Sequence, residues 1–172
     1  GKPIIRHVLY CLEDLGFDHI IIKLHYLPKL VRDAIGEDFN VEYITEFTLR
    51  PTAKFLLDNK DKLEDQFLVT NGDTLTNLNL TEFIEFHMIH NNIASVFTEH
   101  DAVHTGGTYI FDKEIMEWIH DGDDIPDVMQ RLVDNKIPVN LYFSDAKYFD
   151  TRDLKKLERA RRLFKKCETI FL

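Results

Sequence analysis

The stretch QFLVTNGDT, residues 66–74, joins a short apolar run to an Asn-Gly-Asp turn. A continuous apolar run of this length is typical of a strand that other elements cover on both faces. Asp73 follows the strand directly, at a position where packing does not need a carboxylate. In open α/β sheets, ligands bind beside the carboxyl ends of the strands. Asp73 is therefore a candidate functional residue, held on a tight turn that Gly72 makes possible.

Helical and strand patterns alternate on both sides of this stretch. Strands are predicted at residues 18–24, 41–45, 66–70, 93–99, 106–112, 138–144 and 147–150. Helices are predicted between them and at both ends, including helices over 52–65, 113–119 and 152–166. Such alternation predicts an α/β fold with a mostly parallel sheet and helices on both faces. The length favours one domain, residues 1–172, around one core.

The net charge of −9 limits the classes of partner. Nucleic acids and anionic membranes are bound largely through excess Lys and Arg, so neither is expected here. An acidic chain that binds a polyphosphate would repel it unless a divalent cation lay between them. No apolar run approaches the roughly 18 residues that span a bilayer, and no signal-peptide pattern is present, so a cytoplasmic location is expected.

Asp150 is a second candidate, because it ends the predicted strand KYFD. Both aspartates also have structural interpretations. Asp73 follows a glycine in a turn and would suit a cap for the next element, while Asp150 would suit an N-cap for the terminal helix. If the two instead lie at the rim of one sheet, their oxygens suit a hard cation such as Mg²⁺.

Two further features leave alternatives open. Gly106 and Gly107 precede a predicted strand, which indicates either a bulge or a place where a ligand approaches the backbone closely. His87 and His90 lie three residues apart on a predicted helix, but no third ligand has a supporting spacing. Ordinary surface or partly buried histidines are therefore favoured over a zinc site.

Five motifs, taken in order, resemble the sugar-phosphate nucleotidyltransferase family of the sugar-1-phosphate type. They are GKPII, IIIKLHYL, FLVTNGDTL, GGTYIFD and YFDTRDLKKLERA, and they extend over nearly the whole chain. The resemblance implies a Rossmann-like fold, transfer of a nucleoside monophosphate from a nucleoside triphosphate to a sugar 1-phosphate, and release of pyrophosphate. It also implies Mg²⁺ as the cofactor, while a homo-oligomer is an open option.

The resemblance assigns roles to five residues. Asp73 and Asp150 correspond to the two metal-binding and catalytic aspartates of the family. Gly72 belongs to the same substrate-binding turn as Asp73, and Gly107 falls where the family has a glycine whose backbone lies against the sugar. Thr52 is expected near the nucleotide base.

Several loops of the family have no counterpart in the sequence. The family has a Gly-Gly-x-Gly-Thr-Arg turn, whereas this chain opens at the Gly-Lys-Pro that normally follows it. We expect the chain to lack that Gly-rich segment and several active-site loops. Our hypothesis is that the sequence joins the ordered segments of a longer protein whose active-site loops are mobile. A catalytically silent relative, acting as a regulatory or binding subunit, is the alternative.

Overall fold

The computed structural model describes residues 2–98, 105–151, 155, 157 and 158. The helices are α1 (Ile4–Asp14), α2 (Pro28–Ile35), α3 (Thr52–Asp58), α4 (Leu80–His90) and α5 (Ile125–Asp134). The strands are β1 (Ile20–Leu24), β2 (Val41–Thr45), β3 (Gln66–Thr70), β4 (Thr74–Thr76), β5 (Ala94–Thr98), β6 (Thr105–Asp112), β7 (Asn140–Phe143) and β8 (Tyr148–Asp150).

Most elements lie where the sequence predicts them, and three differ. The helix expected over 52–65 ends at Asp58 and is followed by a 3-10 turn, Lys60–Lys62. The helix expected over 113–119 is a 3-10 segment, Lys113–Trp118. Strand β4 was not predicted, because its three residues directly follow the Asn-Gly-Asp turn and carry no apolar run. Most of the predicted terminal helix lies outside the described residues.

The chain contains two compact units, and each is described by itself. The first consists of residues 1–45, 71–78 and the residues from 146 onward, and the second of residues 46–70 and 79–145. The single domain expected from the length stays a prediction.

The first unit contains β1 and β2, which pair in parallel from Ile20↔Val41 to Leu24↔Thr45. Its core includes Leu9, Ile35 and Phe39. Arg6 of α1 ties this core to the end of α2. The Nη1 atom of Arg6 donates to the Ile35 carbonyl at 2.5 Å, and its guanidinium lies 5.1 Å from the centre of the Phe39 ring. The helix end therefore receives a charged donor where its carbonyls lack backbone partners.

A second pairing in this unit positions the candidate site. Strands β4 and β8 are antiparallel, with Thr74 opposite Asp150, Leu75 opposite Phe149 and Thr76 opposite Tyr148. Leu75 is buried, with 8% of its surface exposed, and α1 packs against β4. A strand of only three residues is thus held in place by its partner and by a helix.

The second unit is built on a four-stranded sheet in the order β3-β6-β5-β7. Strands β5 and β7 are parallel, whereas β6 runs antiparallel to both β3 and β5. The register between β5 and β6 shifts between Val96 and Thr98, and Gly107 has φ 66° at this bulge. Of the two interpretations of Gly107, the bulge is therefore present, because a left-handed residue with no Cβ suits it.

The α/β class is confirmed, and the share of parallel pairing is smaller than expected. The parallel pairs are β1-β2 and β5-β7, while three described pairs are antiparallel. Parallel neighbours need a crossover of about a dozen residues or more. Six residues separate β5 from β6 in the sequence, which is fewer than such a crossover requires.

The termini of two helices in the second unit follow the capping rules. Asn79 is the N-cap of α4, and its Oδ1 accepts from the Glu82 backbone N–H at 3.3 Å. Asp124 and Asp127 form a capping box at the start of α5. Within the described part of the chain, no helix has the length and apolar character that crossing a membrane requires.

Candidate functional site

The Asn71-Gly72-Asp73 turn lies between β3, which ends at Thr70, and β4, which begins at Thr74. Asn71 and Asp73 are exposed, and Thr74 is buried. Among the described residues, one hydrogen bond reaches the Asp73 carboxylate, from Thr74 Oγ1 to Oδ1 at 3.3 Å. The carboxylate therefore faces solvent with acceptor capacity still available for a ligand.

Asp150 is placed beside this turn by strand pairing. It lies opposite Thr74 in the β4-β8 register, and Thr74 is the neighbour of Asp73 in the chain. Residues directly opposite in an antiparallel pair have Cα atoms roughly 4.5–5.5 Å apart. The structure thus brings the backbones of Asp73 and Asp150 together, although the two residues are far apart in the sequence. The side chain of Asp150 lies outside what the structure describes.

Four further residues, Asn71, Thr74, Tyr148 and Thr151, take part in this cluster, and none of them was a sequence candidate. Thr151 Oγ1 donates to the backbone carbonyl of Asp73 at 2.5 Å. The Tyr148 hydroxyl accepts from Asn71 Nδ2 at 3.3 Å and lies 3.2 Å from Thr74 Oγ1. We define the turn cluster as residues 71–74, 148, 150 and 151. Their proximity in sequence to Asp73 and Asp150 was the available signal.

Gly72 has a steric rather than a conformational reason to be glycine. Its φ is not among the positive φ angles of the chain, so the turn does not require left-handed backbone. A Cβ at this position would lie 2.7 Å from Ile5 Cδ1, which is closer than van der Waals contact allows. The expectation that the turn conformation itself needs glycine is therefore wrong. Close packing against Ile5 of α1 is the reason that a residue without a Cβ suits this position.

The donor set of the turn cluster fits a hard divalent cation. Carboxylate oxygens are the ligands that Mg²⁺ prefers, and Mg²⁺ is commonly held by one or two carboxylates together with water and substrate phosphates. Across the described residues, no group of three or more His, Cys, Asp or Glu side chains is arranged to hold a metal. A cation held by two carboxylates alone would keep coordination positions open for water and phosphate oxygens.

Thr52 and Gly107 belong to the second unit, whereas Gly72, Asp73 and Asp150 belong to the first. Thr52 is the first residue of α3, and its backbone N–H donates to Asp124 Oδ1 at 2.9 Å. Gly107 lies at the bulge of β6. The roles of Thr52 near a base and of Gly107 against a sugar stay predictions.

His87 is buried, with 2% of its surface exposed, and both ring nitrogens have partners. Nδ1 lies 2.8 Å from Ser95 Oγ, and Nε2 lies 3.1 Å from Asp112 Oδ1. A ring with both nitrogens engaged has no lone pair to offer a metal, so His87 is a core histidine.

Comparison with known proteins agrees with the motifs. A family model described as nucleotidyl transferase matches residues 1–110 of the 172. The chain belongs to the nucleotidyl transferase family. This confirms the resemblance drawn from the five motifs, and Asp73 lies within the matched residues.

Two similar proteins match different lengths of the chain. Mannose-1-phosphate guanylyltransferase 1 of Arabidopsis thaliana is 24% identical over 177 residues, which cover 96% of this chain and 48% of the plant protein. The bifunctional protein GlmU of Methanocaldococcus jannaschii is 30% identical over 86 residues, covering 50% of this chain and 21% of GlmU. The chain therefore spans about half the length of the plant relative and less of GlmU.

The fold is shared with solved structures. HddC from Yersinia pseudotuberculosis superposes with a TM-score of 0.76 at 22% identity, covering 95% of this chain and 86% of HddC. At this identity the likeness establishes the fold, which is the Rossmann-like α/β arrangement that the resemblance implied.

Proposed function

We propose that the chain catalyses transfer of a nucleoside monophosphate from a nucleoside triphosphate to a sugar 1-phosphate, giving a nucleoside diphosphate sugar and pyrophosphate. The observation that carries the proposal is the β4-β8 register, which sets Asp150 opposite Thr74 and so beside the exposed Asp73. The exposed Asp73 has no packing role there, and two acidic residues brought together suit a cation that both anionic substrates require.

The reaction needs few protein groups. A phosphate oxygen of the sugar 1-phosphate attacks the α-phosphorus, the bond from that phosphorus to the bridging oxygen breaks, and pyrophosphate leaves with the electron pair. Bound Mg²⁺ supplies charge neutralisation for the two anions and for the leaving pyrophosphate. Asp73 and Asp150 would hold the cation, and the Asn71–Thr74 turn would keep Asp73 in a fixed place beside the phosphates. No protein nucleophile is required.

The remaining assignments extend this proposal. Gly72 belongs to the turn that positions the phosphates, Gly107 lines the sugar, and Thr52 lies near the base. The partners are a nucleoside triphosphate and a sugar 1-phosphate, without nucleic acid or membrane, and the location is the cytoplasm. HddC was also solved in complex with GMP-PN, which supports the proposal that this chain binds a nucleotide.

A pyrophosphate-release assay tests the proposal. Purified protein is incubated with GTP, UTP, ATP or dTTP and with mannose or glucose 1-phosphate, with Mg²⁺ or with EDTA. We expect release with one pairing of substrates, and loss of release in EDTA. Asp73→Asn should lower the rate by roughly 10²–10³-fold, because a ligand of the cation that neutralises the reacting phosphates is lost.

The matched control is Asp18→Asn, which removes an exposed carboxylate of the same unit outside the turn cluster. It should retain the wild-type rate. Release that is equal in Asp73→Asn and in the wild type would overturn the proposal. Binding of a nucleotide sugar without any turnover would instead support the catalytically silent regulatory or binding subunit.

A further inference from the structure

We propose that Tyr148 and Thr151 are positioning residues that hold Asp73 against the end of β8 and thereby set the spacing between the two metal-binding aspartates. This inference rests on the proposed function, because it assigns the geometry of that same site. It concerns residues that flank Asp150 on both sides in the sequence.

Thr151 extends the strand pairing by one residue. The register of β4 and β8 stops at Thr74↔Asp150, so the next pair in the same register would be Asp73 and Thr151. Backbone pairing ends there, and the Thr151 hydroxyl donates to the Asp73 carbonyl at 2.5 Å. A side chain thus supplies the cross-strand hydrogen bond at the position where the ladder ends. This bond fixes the backbone of Asp73 relative to the residue that follows Asp150.

Tyr148 holds the other side of the turn. Its backbone is opposite Thr76, but its hydroxyl reaches back to Asn71 Nδ2 at 3.3 Å and to Thr74 Oγ1 at 3.2 Å. The phenol therefore contacts the residues on either side of Gly72 and Asp73. One hydroxyl joins the first residue of the turn, the first residue of β4 and strand β8.

The Thr74 hydroxyl links Tyr148 to the Asp73 carboxylate. Its hydroxyl lies within hydrogen-bonding distance of both Asp73 Oδ1, at 3.3 Å, and the Tyr148 hydroxyl, at 3.2 Å. Thr74 has one hydroxyl proton, and a carboxylate can only accept. Thr74 can therefore donate to only one of these two acceptors at a time. The Tyr148 hydroxyl competes for the proton that Asp73 Oδ1 accepts, so it influences how the carboxylate is held.

The expected consequence is a change in metal affinity. Partners that orient metal ligands typically change affinity or activity by roughly 10–100-fold when they are removed. Tyr148→Phe and Thr151→Val each remove one hydroxyl and retain the size of the side chain. Each should weaken binding of Mn²⁺, used as a spectroscopic substitute for Mg²⁺, by about 10-fold. Thr151→Ser keeps the hydroxyl and should bind Mn²⁺ within about twofold of the wild type.

The experiment titrates the 172-residue protein with Mn²⁺ and measures free Mn²⁺ by electron paramagnetic resonance, at a temperature well below the unfolding midpoint. Tyr142→Phe is the matched control, because it removes a hydroxyl that bonds to Glu82 in the second unit. It should leave Mn²⁺ binding unchanged. Amide hydrogen exchange at Asp73 and Thr74 provides a second readout, and it should be faster in Tyr148→Phe and Thr151→Val.

The outcomes separate the two proposals. If Asp73→Asn loses Mn²⁺ binding while Tyr148→Phe and Thr151→Val bind as the wild type does, the positioning roles are wrong and the metal site stands. If Asp73→Asn itself binds Mn²⁺ as the wild type does, the metal site and the positioning roles are both wrong. A lower unfolding midpoint with unchanged Mn²⁺ affinity and unchanged exchange at Asp73 would show that the two hydroxyls serve stability alone.

Discussion

Two polar clusters, one in each compact unit, are built from the same kinds of side chain. The turn cluster combines Asn, Asp, Thr and Tyr around an exposed carboxylate. The second, which we call the His87 network, consists of Gln66, His87, Asn92, Ser95, Asp112 and Asn140. Both connect strands through hydrogen bonds between side chains, and they differ in burial and in how many of their polar groups are already engaged.

The centre of the His87 network is buried: His87, Ser95 and Asn140 are buried, whereas Gln66 at its edge is exposed. Ser95 is fully buried, and its hydroxyl lies 2.8 Å from His87 Nδ1 while accepting from Asn140 Nδ2 at 3.1 Å. Because a carboxylate can only accept, His87 Nε2 donates to Asp112, and in the neutral ring Nδ1 then accepts the Ser95 proton. Every described member has a partner, as a network that stabilises a buried region requires.

The turn cluster leaves one charged group incompletely engaged. Asp73 is exposed and has a single hydrogen bond from the described residues. The His87 network and the turn cluster therefore differ in how much hydrogen-bonding capacity is unused. Their compositions alone do not distinguish them. This difference predicts that substitutions in the two clusters change different measured quantities.

His87→Leu should give the largest loss of stability. The substitution retains bulk but leaves Ser95 without an acceptor, and of the two described side-chain donors to Asp112 Oδ1 only Gln66 Nε2 remains. We expect the free energy of unfolding to fall by roughly 2–4 kcal/mol, measured by urea denaturation. His90→Leu, on an exposed position of the same helix, should cost less than about 1 kcal/mol. Equal losses in the two variants would show that burial of the network does not matter.

Gly107→Ala should give the next largest effect. The φ of 66° is unfavourable for a residue with a Cβ, and the position lies in a bulge. We expect a loss of roughly 1–2 kcal/mol in the free energy of unfolding. If the variant keeps wild-type stability and loses only turnover, Gly107 serves the substrate and the bulge tolerates a side chain.

Asp123→Asn tests a carboxylate that is already engaged, unlike Asp73. Arg131 holds Asp123 through two hydrogen bonds, of 2.5 and 3.0 Å, and lowers its pKa from 3.8 to about 2. A lowered pKa in the folded state contributes stability above the unfolded value, and this contribution is lost as the pH falls through the folded value. The wild type should therefore be more stable than Asp123→Asn at pH 6.

That advantage should shrink as the pH falls from about 4 to about 2. Urea denaturation of both proteins at intervals across this range measures it. A difference in stability that stays constant from pH 6 to pH 2 would contradict the assigned ion pair.

Gly72→Ala should have the smallest effect on stability. The new methyl group would meet Ile5 Cδ1 at 2.7 Å, but that atom is the end of a side chain that can rotate. We expect a loss below about 1 kcal/mol. Ile5→Val removes the conflicting methyl group, so the double variant should be more stable than the sum of the two single changes predicts. Additive losses would show that the Ile5 contact is not the reason for glycine.

The order of elements was predictable from the sequence because it depends on local patterns. The apolar run QFLVT predicts a strand, and Gly36 predicts the end of α2, and both signals depend only on neighbouring residues. The pairing of β4 with β8 was not predictable, because it joins residues that are distant in the chain and because β4 has three residues. The roles of Tyr148 and Thr151 were not predictable for the same reason, because their hydrogen-bond partners lie across this strand pair. Asp73 and Asp150 could be proposed because each ends a recognisable motif.

The pairing of Thr74 with Asp150 has a consequence for the time at which the site forms. One half of the turn cluster is synthesised early, and the other half follows only after the whole sequence of the second unit. Contacts between such distant segments form late, since closing the long intervening loop costs entropy before any contact stabilises it. A nascent chain therefore has no paired aspartates until residues 148–151 emerge from the ribosome. Metal binding at this turn would therefore report that β4 and β8 have paired.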